Sequence, residues 1–218
     1  MRKQYLVFDA YGTLLKVNSD IPDLTPAQQQ QSADIQQLWR TKQLEYTWLR
    51  SQMNAFVGFN QVTYDALNYA FTHYQVNDDP LKQAILSIFE KPTAFEDARM
   101  FLTRMKSAGY ETSILSNGEP DRLFNSVEVA GIDASIDYIL SASHVRVFKP
   151  NPKVYALATS KLSCEPQDIL FFSSNPWDIA GATHFGFRTI WINRGGLPFE
   201  ELGVQPNQVV KSFEEVNL

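Results

Sequence analysis

Asp9 closes a short apolar run, Tyr5–Phe8, and leads into Ala10-Tyr11-Gly12-Thr13-Leu14. A carboxylate so placed, with a hydroxyl four residues on, is a candidate chemical group beside a hydrogen-bond donor. Three other stretches carry groups of the same kind. Ser116-Asn117-Gly118 ends the run Thr112–Ser116. Phe148-Lys149-Pro150-Asn151-Pro152 comes later, with Tyr155 shortly after. Ser173-Ser174-Asn175-Pro176-Trp177-Asp178 ends the run Asp168–Ser173. Two carboxylates, a lysine and several hydroxyl or amide groups are thus candidates to converge on one polar site. Singly, each stretch has an ordinary reading. Asp9 and Ser-Asn-Gly suit turns, Lys-Pro suits a solvated loop, and Asp178 suits the first turn of a helix. Their shared place at the ends of apolar runs, in this order, points to one site.

The apolar runs are the elements that must position these groups. Tyr5–Phe8, Thr112–Ser116, Asp137–Leu140, Asp168–Ser173 and Arg188–Ile192 are continuous rather than alternating, as strands buried on both faces are. Helical stretches separate them, such as Phe95–Gly109, where Gly109 suits a helix C-terminus. The alternation predicts an α/β fold, a Rossmann-like parallel sheet with helices on both faces. Ligands of such sheets bind beyond the carboxyl ends of the strands, where the polar stretches fall. From Pro22 to Pro92 no strand is expected. Ile35, Leu38, Trp39, Lys42, Tyr46, Leu49 and Met53 recur at steps of three and four, an amphipathic helix with one polar member. Tyr64–Tyr74 and Pro80–Phe89 read as further helices, with prolines 22, 26, 80 and 92 at the edges. Gln28–Gln31 reads as a solvated helix start. The expected division is a core of residues 1–15 and 93–218, with residues 16–92 forming a helical cap inserted after the first strand, over the sheet's carboxyl edge.

Composition bounds the chemistry. With 218 residues, 44% hydrophobic and 20% charged, the chain is an ordinary globular one. A net charge of −5 argues against nucleic acid as a partner. No apolar stretch approaches the roughly 20 residues that span a bilayer, and the start MRKQYLVFDA lacks the apolar core of a secretory signal. Cys164 is the single cysteine, so a reducing, cytoplasmic setting is expected, with the thiol inert. His73, His144 and His184 have no metal-ligand spacing.

The segment FDAYGTL resembles the nucleophile motif of the haloacid dehalogenase superfamily, Asp-x-Asp/Tyr-x-Thr. Ser116, Lys149 and Asp178 fall where its second, third and fourth motifs fall. More narrowly, Asp9–Leu14, Leu38–Arg50, Val147–Ala158 and Ser173–Ala182 resemble the L-2-haloacid dehalogenases. The pattern Lys-Pro-x-Pro-x-x-Tyr together with Ser-Ser-Asn-x-Trp-Asp is specific, and the resemblance covers essentially the whole chain. Phosphatases of the superfamily carry a second Asp, two residues after the nucleophile, that protonates the leaving group. Tyr11 stands there instead and is no strong acid. Ser173, Ser174 and Asn175 before the lone Asp178 make a poor cage for a hard cation. Halide leaves without a proton, so no metal or cofactor is expected.

The resemblance implies a hydrolase acting on carbon–halide bonds. Asp9 attacks C2 of an L-2-halocarboxylate from behind the halogen, and water then frees a D-2-hydroxy acid from the ester. Lys149 and Thr13 support Asp9. Asp178 is the candidate base for the water, oriented by Asn175 and Lys149. The family implies support from Ser173 and Tyr155, a substrate carboxylate held by Ser116 and Asn117, and Arg40 as the group that draws off the halide, with Asn175 completing a cradle. It also implies Tyr11, Leu44, Phe59 and Trp177 as pocket residues, with Thr41 where relatives carry a longer amide. Relatives are commonly homodimers, which the aromatic-rich insertion would suit. Two other readings stand beside this one: a Mg²⁺-dependent small-molecule phosphatase that tolerates Tyr11, and a non-catalytic binding protein on the same fold.

Overall fold

The computed structural model describes residues 4–17, 21 and 24–218. The basic N-terminus and Pro22, taken above as an insertion edge, lie outside the described residues. Six parallel strands form one sheet: β1 (Tyr5–Phe8), β2 (Glu111–Ser116), β3 (Tyr138–Ser141), β4 (Ile169–Ser173), β5 (Arg188–Ile192) and β6 (Gln208–Val210), in the order β3-β2-β1-β4-β5-β6. Helices α4 (Glu96–Ser107), α5 (Pro120–Val129), α6 (Pro152–Leu162) and α7 (Pro176–Phe185) connect the strands. Connections to β2 and β3 run one way along the sheet and the connection to β5 the other. Right-handed crossovers therefore place α4 and α5 on one face and α7, with α6 against it, on the other.

The expected strands all form, within a residue or so. β6 is an addition: a three-residue edge strand, largely exposed, with no apolar run to announce it. The core is rich in aromatics. Phe8 of β1 stacks on Phe172 of β4 at 4.7 Å, and Phe101 and Phe213 close over them. Such a side chain, fully buried, contributes about 1.5–3 kcal/mol.

Three helices lie between β1 and α4: α1 (Pro26–Gln52), α2 (Phe59–His73) and α3 (Asp79–Glu90). Thr25 and Gln28 cap α1 reciprocally, with Pro26 in its first turn, so the exposed glutamines do begin a helix. The expected apolar stripe holds only in the first half. The buried line runs Ser32, Ile35, Gln36, Trp39, Gln43 and Thr47, whereas Leu49 and Met53 are exposed. Buried polar residues can take those places because they find partners, Ser32 for Gln36 and Thr63 for Gln43. Helix α2 starts earlier than the periodicity suggests, because Gly58 serves as N-cap and Phe59 is already buried.

These helices sit over the strand ends. Tyr11 stacks on Phe89 of α3 at 4.7 Å and lies 6.2 Å from Phe59 of α2. The Phe148 N–H donates to Ser51 of α1, and the Asn60 N–H of α2 donates to the Glu119 carboxylate of the core at 3.0 Å. Gly58 is what admits that carboxylate, since a Cβ there would collide with it.

Candidate active site

Strand order reverses between β1 and β4, and the site lies there, at the place where doubly wound sheets hold their ligands. Asp9 leaves β1 with its N–H on the Phe172 carbonyl of β4 at 2.9 Å, which sets it beside Ser173. Its Oδ2 accepts from Asn175 Nδ2 at 2.8 Å, Thr13 Oγ1 at 2.9 Å and Ser173 Oγ at 3.4 Å. Its Oδ1 faces Lys149 Nζ at 3.3 Å. One oxygen is thus tied down by neutral donors. The other faces only the Lys149 ammonium among the described residues.

Lys149 also reaches Asp178 Oδ2 at 2.8 Å, so one ammonium bridges both carboxylates. All three groups are nearly sealed from solvent: Asp9 is 6% exposed, Lys149 1% and Asp178 0%. Removing charge from water is costly unless the charges pair, as these do. Asp178 Oδ1 accepts from the Tyr155 hydroxyl at 2.7 Å. Burial pushes the Asp178 carboxyl up to about 6; the Asp9 charge adds to this, while Lys149 and Tyr155 pull it back. Burial first, then Asp178, holds the Tyr155 phenol well above its usual range, so it stays a donor. Gly181 of α7 makes room for that phenol, because a Cβ there would lie 2.5 Å from the hydroxyl.

Asn175 departs from expectation. Its amide goes to Asp9 and to the Tyr11 carbonyl at 3.3 Å, and Tyr155 rather than Asn175 orients Asp178. Helix α7 opens at Pro176, which leaves Asn175 extended and turned to the nucleophile. Ser174, given no role in the sequence, fixes Thr13: its N–H donates to Thr13 Oγ1 at 2.8 Å. Ser116 ends β2 with its hydroxyl accepting from the Gly118 N–H, and Asn117 Oδ1 accepts from the Lys149 N–H at 2.9 Å. Asn117 therefore holds the lysine's backbone as well as lying at the site's edge.

Arg40 comes down from α1. Burial lowers its pKa and the Asp9 charge raises it, so the guanidinium and the carboxylate sense each other. Its Nη1 donates to Gln43 Oε1 at 2.5 Å. Tyr11 and Phe59 form the apolar wall. The Tyr11 hydroxyl lies 3.4 Å from Ser126 Oγ, and burial above all raises its pKa. Leu44 is half-buried on the same helix. Thr41 is not brought in: it is exposed, and its hydroxyl turns back to the Gln37 carbonyl of its own helix at 3.0 Å. Trp177 lies outside the polar cluster, edge-on to Trp48 at 5.7 Å, in a cleft of about 550 Å³ between α1 and the core that Phe148 and Pro150 also line.

The described residues hold no group of three or more His, Cys, Asp or Glu side chains fit for a metal, and none of their helices is long and apolar enough to cross a membrane. Residues 4–186 match the haloacid dehalogenase-like hydrolase family. The chain is 41% identical over 212 residues to (S)-2-haloacid dehalogenase of Pseudomonas sp. (strain YL), covering 97% of this chain and 91% of that one. It is 33% identical over 212 residues to haloacetate dehalogenase H-2 of Moraxella sp. (strain B), covering 97% and 95%. Among solved structures, L-2-haloacid dehalogenase from Xanthobacter autotrophicus with chloropropionic acid covalently bound superposes with a TM-score of 0.85, at 33% identity and 97% and 95% coverage.

Proposed function

The chain belongs to the haloacid dehalogenase-like hydrolases, and from that premise we propose that it hydrolyses L-2-haloacids to D-2-hydroxy acids through an ester on Asp9. The observation that carries the reading is the asymmetry of Asp9: Oδ2 held by three neutral donors, Oδ1 beside Lys149 alone among the described residues. Oδ1 attacks C2 opposite the carbon–halogen bond. The new C–O bond forms as the halide leaves with the bonding electrons, which inverts C2. Arg40 receives the halide, and Ser116 and Asn117 hold the substrate carboxylate. Tyr11, Phe59 and Leu44 supply apolar surroundings that strengthen these charge interactions, whereas Trp177 stands apart in its own cleft.

Hydrolysis then restores Asp9. Asp178, oriented by Tyr155 and Lys149, takes a proton from water as its oxygen bonds to the ester carbonyl carbon of Asp9. The donors on Oδ2 stabilise the charge that builds on that oxygen. Collapse of the intermediate breaks the Cγ–Oδ1 bond of Asp9, so that Oδ1 departs as the product's hydroxyl oxygen and the water oxygen takes its place in the carboxylate. One of the water's protons ends on the product hydroxyl and the other passes to solvent. No metal enters these steps; Lys149 is the cation between the carboxylates.

Residues 16–92 act as the cap that closes the site. A cytoplasmic residence is supported by the lone, unpaired Cys164. A homodimer is supported by the exposed Leu49 of α1, Met53 just past its end, and Tyr64 and Tyr69 of α2. Sedimentation equilibrium at the mass of two chains is the expected result, and a monomer at micromolar concentration rejects it.

Halide release in the presence of EDTA is the deciding experiment. L-2-chloropropionate should release chloride and the D form should not. Asp9→Asn should lower release more than ~10³-fold with an unchanged melting temperature. Release from neither isomer, together with Mg²⁺-stimulated hydrolysis of phosphate monoesters, overturns the reading.

A further inference from the structure

Arg40 is held by a directed chain of buried polar groups that begins on another helix. Its Nη1 donates to Gln43 Oε1 at 2.5 Å, one turn along α1. Gln43 Nε2 donates to Thr63 Oγ1 of α2 at 2.6 Å, and Thr63 Oγ1 donates to the Phe59 carbonyl at 2.7 Å. Gln43 is 2% exposed and Thr63 3%. The Trp39 indole N–H fixes the same turn of α2, donating to the Thr63 carbonyl at 2.9 Å.

The direction of the chain follows from its ends. A carbonyl only accepts, so the single hydroxyl proton of Thr63 is committed to Phe59. The Thr63 oxygen must then accept from Gln43, which fixes the amide with its NH₂ toward α2 and its carbonyl toward Arg40. A guanidinium only donates, so the far end closes correctly. A buried glutamine is costly unless its partners are all present, and this one has them. An amide also differs from the carboxylate that usually partners a buried arginine, because it orients the guanidinium without cancelling its charge.

We propose that Gln43 and Thr63 are positioning residues that aim Arg40 at the departing halide and leave its positive charge available to it. This rests on the reading of Arg40 as the group that receives the halide. Because Phe59 both ends the chain and walls the pocket, the start of α2 sets the apolar contact and the cation's aim together.

The test compares kcat and KM for L-2-chloropropionate and L-2-bromopropionate in Gln43→Leu, Gln43→Glu, Thr63→Val and Thr63→Ser, with Arg40→Lys as reference. Chloride is the poorer leaving group and depends more on the cation. Gln43→Leu and Thr63→Val should therefore lower kcat for the chloride about 10-fold or more beyond the loss for the bromide, with KM nearly unchanged. Gln43→Glu should lower it too, by neutralising Arg40. Thr63→Ser keeps the hydroxyl and should restore the wild-type ratio. Thr63→Val is nearly isosteric, so it remains informative if the Gln43 variants do not fold. Equal losses for both halides, or a ratio that Thr63→Ser fails to restore, overturn the proposal in favour of packing alone. An Arg40→Lys enzyme with an unaltered ratio overturns instead the reading of Arg40.

Discussion

On the proposed mechanism Asp178, a buried carboxyl, must be ionised to take a proton from water, and its neighbours pull in opposite directions. Burial lifts it to about 6, and the Lys149 ammonium and Tyr155 hydroxyl favour the charged form. Turnover should rise with pH along an acid limb near 6, an apparent value belonging to the coupled set of Asp178, Lys149 and Asp9. Tyr155→Phe removes a donor to the ionised form and should move that limb to higher pH. A kcat–pH profile checks this, and a limb that stays put rejects Tyr155 as the group tuning the base. The stability effect has the opposite sign. The folded pKa lies above the ordinary value of 3.8, so the fold favours the protonated acid. That contribution is whole below about pH 4 and is lost as pH rises through about 6. Asp9, Thr13, Lys149 and Asp178 were legible in the sequence because each closes or follows a buried run, and a parallel sheet gathers its strand ends. Gln43 and Thr63 were not. An amide three residues after an arginine reads as a solvated helix pair, and only packing against α2 buries it.

At the scale of elements, α6 and α7 approach closely at Gly181, where a Cβ would lie 2.6 Å from Pro150 Cβ as well as against the Tyr155 hydroxyl. Gly181→Ala improves helix propensity by at most ~1 kcal/mol. The clash costs about 1–3 kcal/mol, so the packing term wins. The variant should unfold at lower denaturant and show reduced kcat, because Tyr155 must leave Asp178; an unchanged midpoint and rate reject this account. Strands were more legible than the inserted helices for a physical reason. Continuous apolar runs such as Asp168–Ser173 admit few alternatives once buried on both faces. Helix α1 offers two candidate faces in its second half, and the polar one with Gln43 and Thr47 is buried while Leu49 and Met53 face out. Periodicity counts apolar residues and cannot count the hydrogen-bond partners that make a polar face affordable.

At the scale of the whole molecule, an acidic chain of net charge −5 is read as handling an anion by concentrating Lys149 and Arg40 at one closed place. The parallel sheet that creates this place was implied by strand–helix alternation but its strand order was not, and β6, two of its three residues exposed, left no trace in the apolar pattern. The join between inserted helices and core was also invisible, since Glu119 and Gly58 lie far apart in sequence. Their dependence is measurable by a double-mutant cycle. Gly58→Ala should cost about 1 kcal/mol in the native chain, where the new methyl dislodges Glu119, and much less in Glu119→Ala. Additive losses in urea unfolding reject the coupling. The Asn60–Glu119 bond has a kinetic side as well. Asp9 and Lys149 are shut from water beneath Tyr11, Phe59 and Phe89. If substrate enters between the inserted helices and the core, each cycle would open that bond and re-form it. A catch too firm would then trap halide and hydroxy acid inside, and one too loose would flood the ester, so its strength would bear on the rate of turnover.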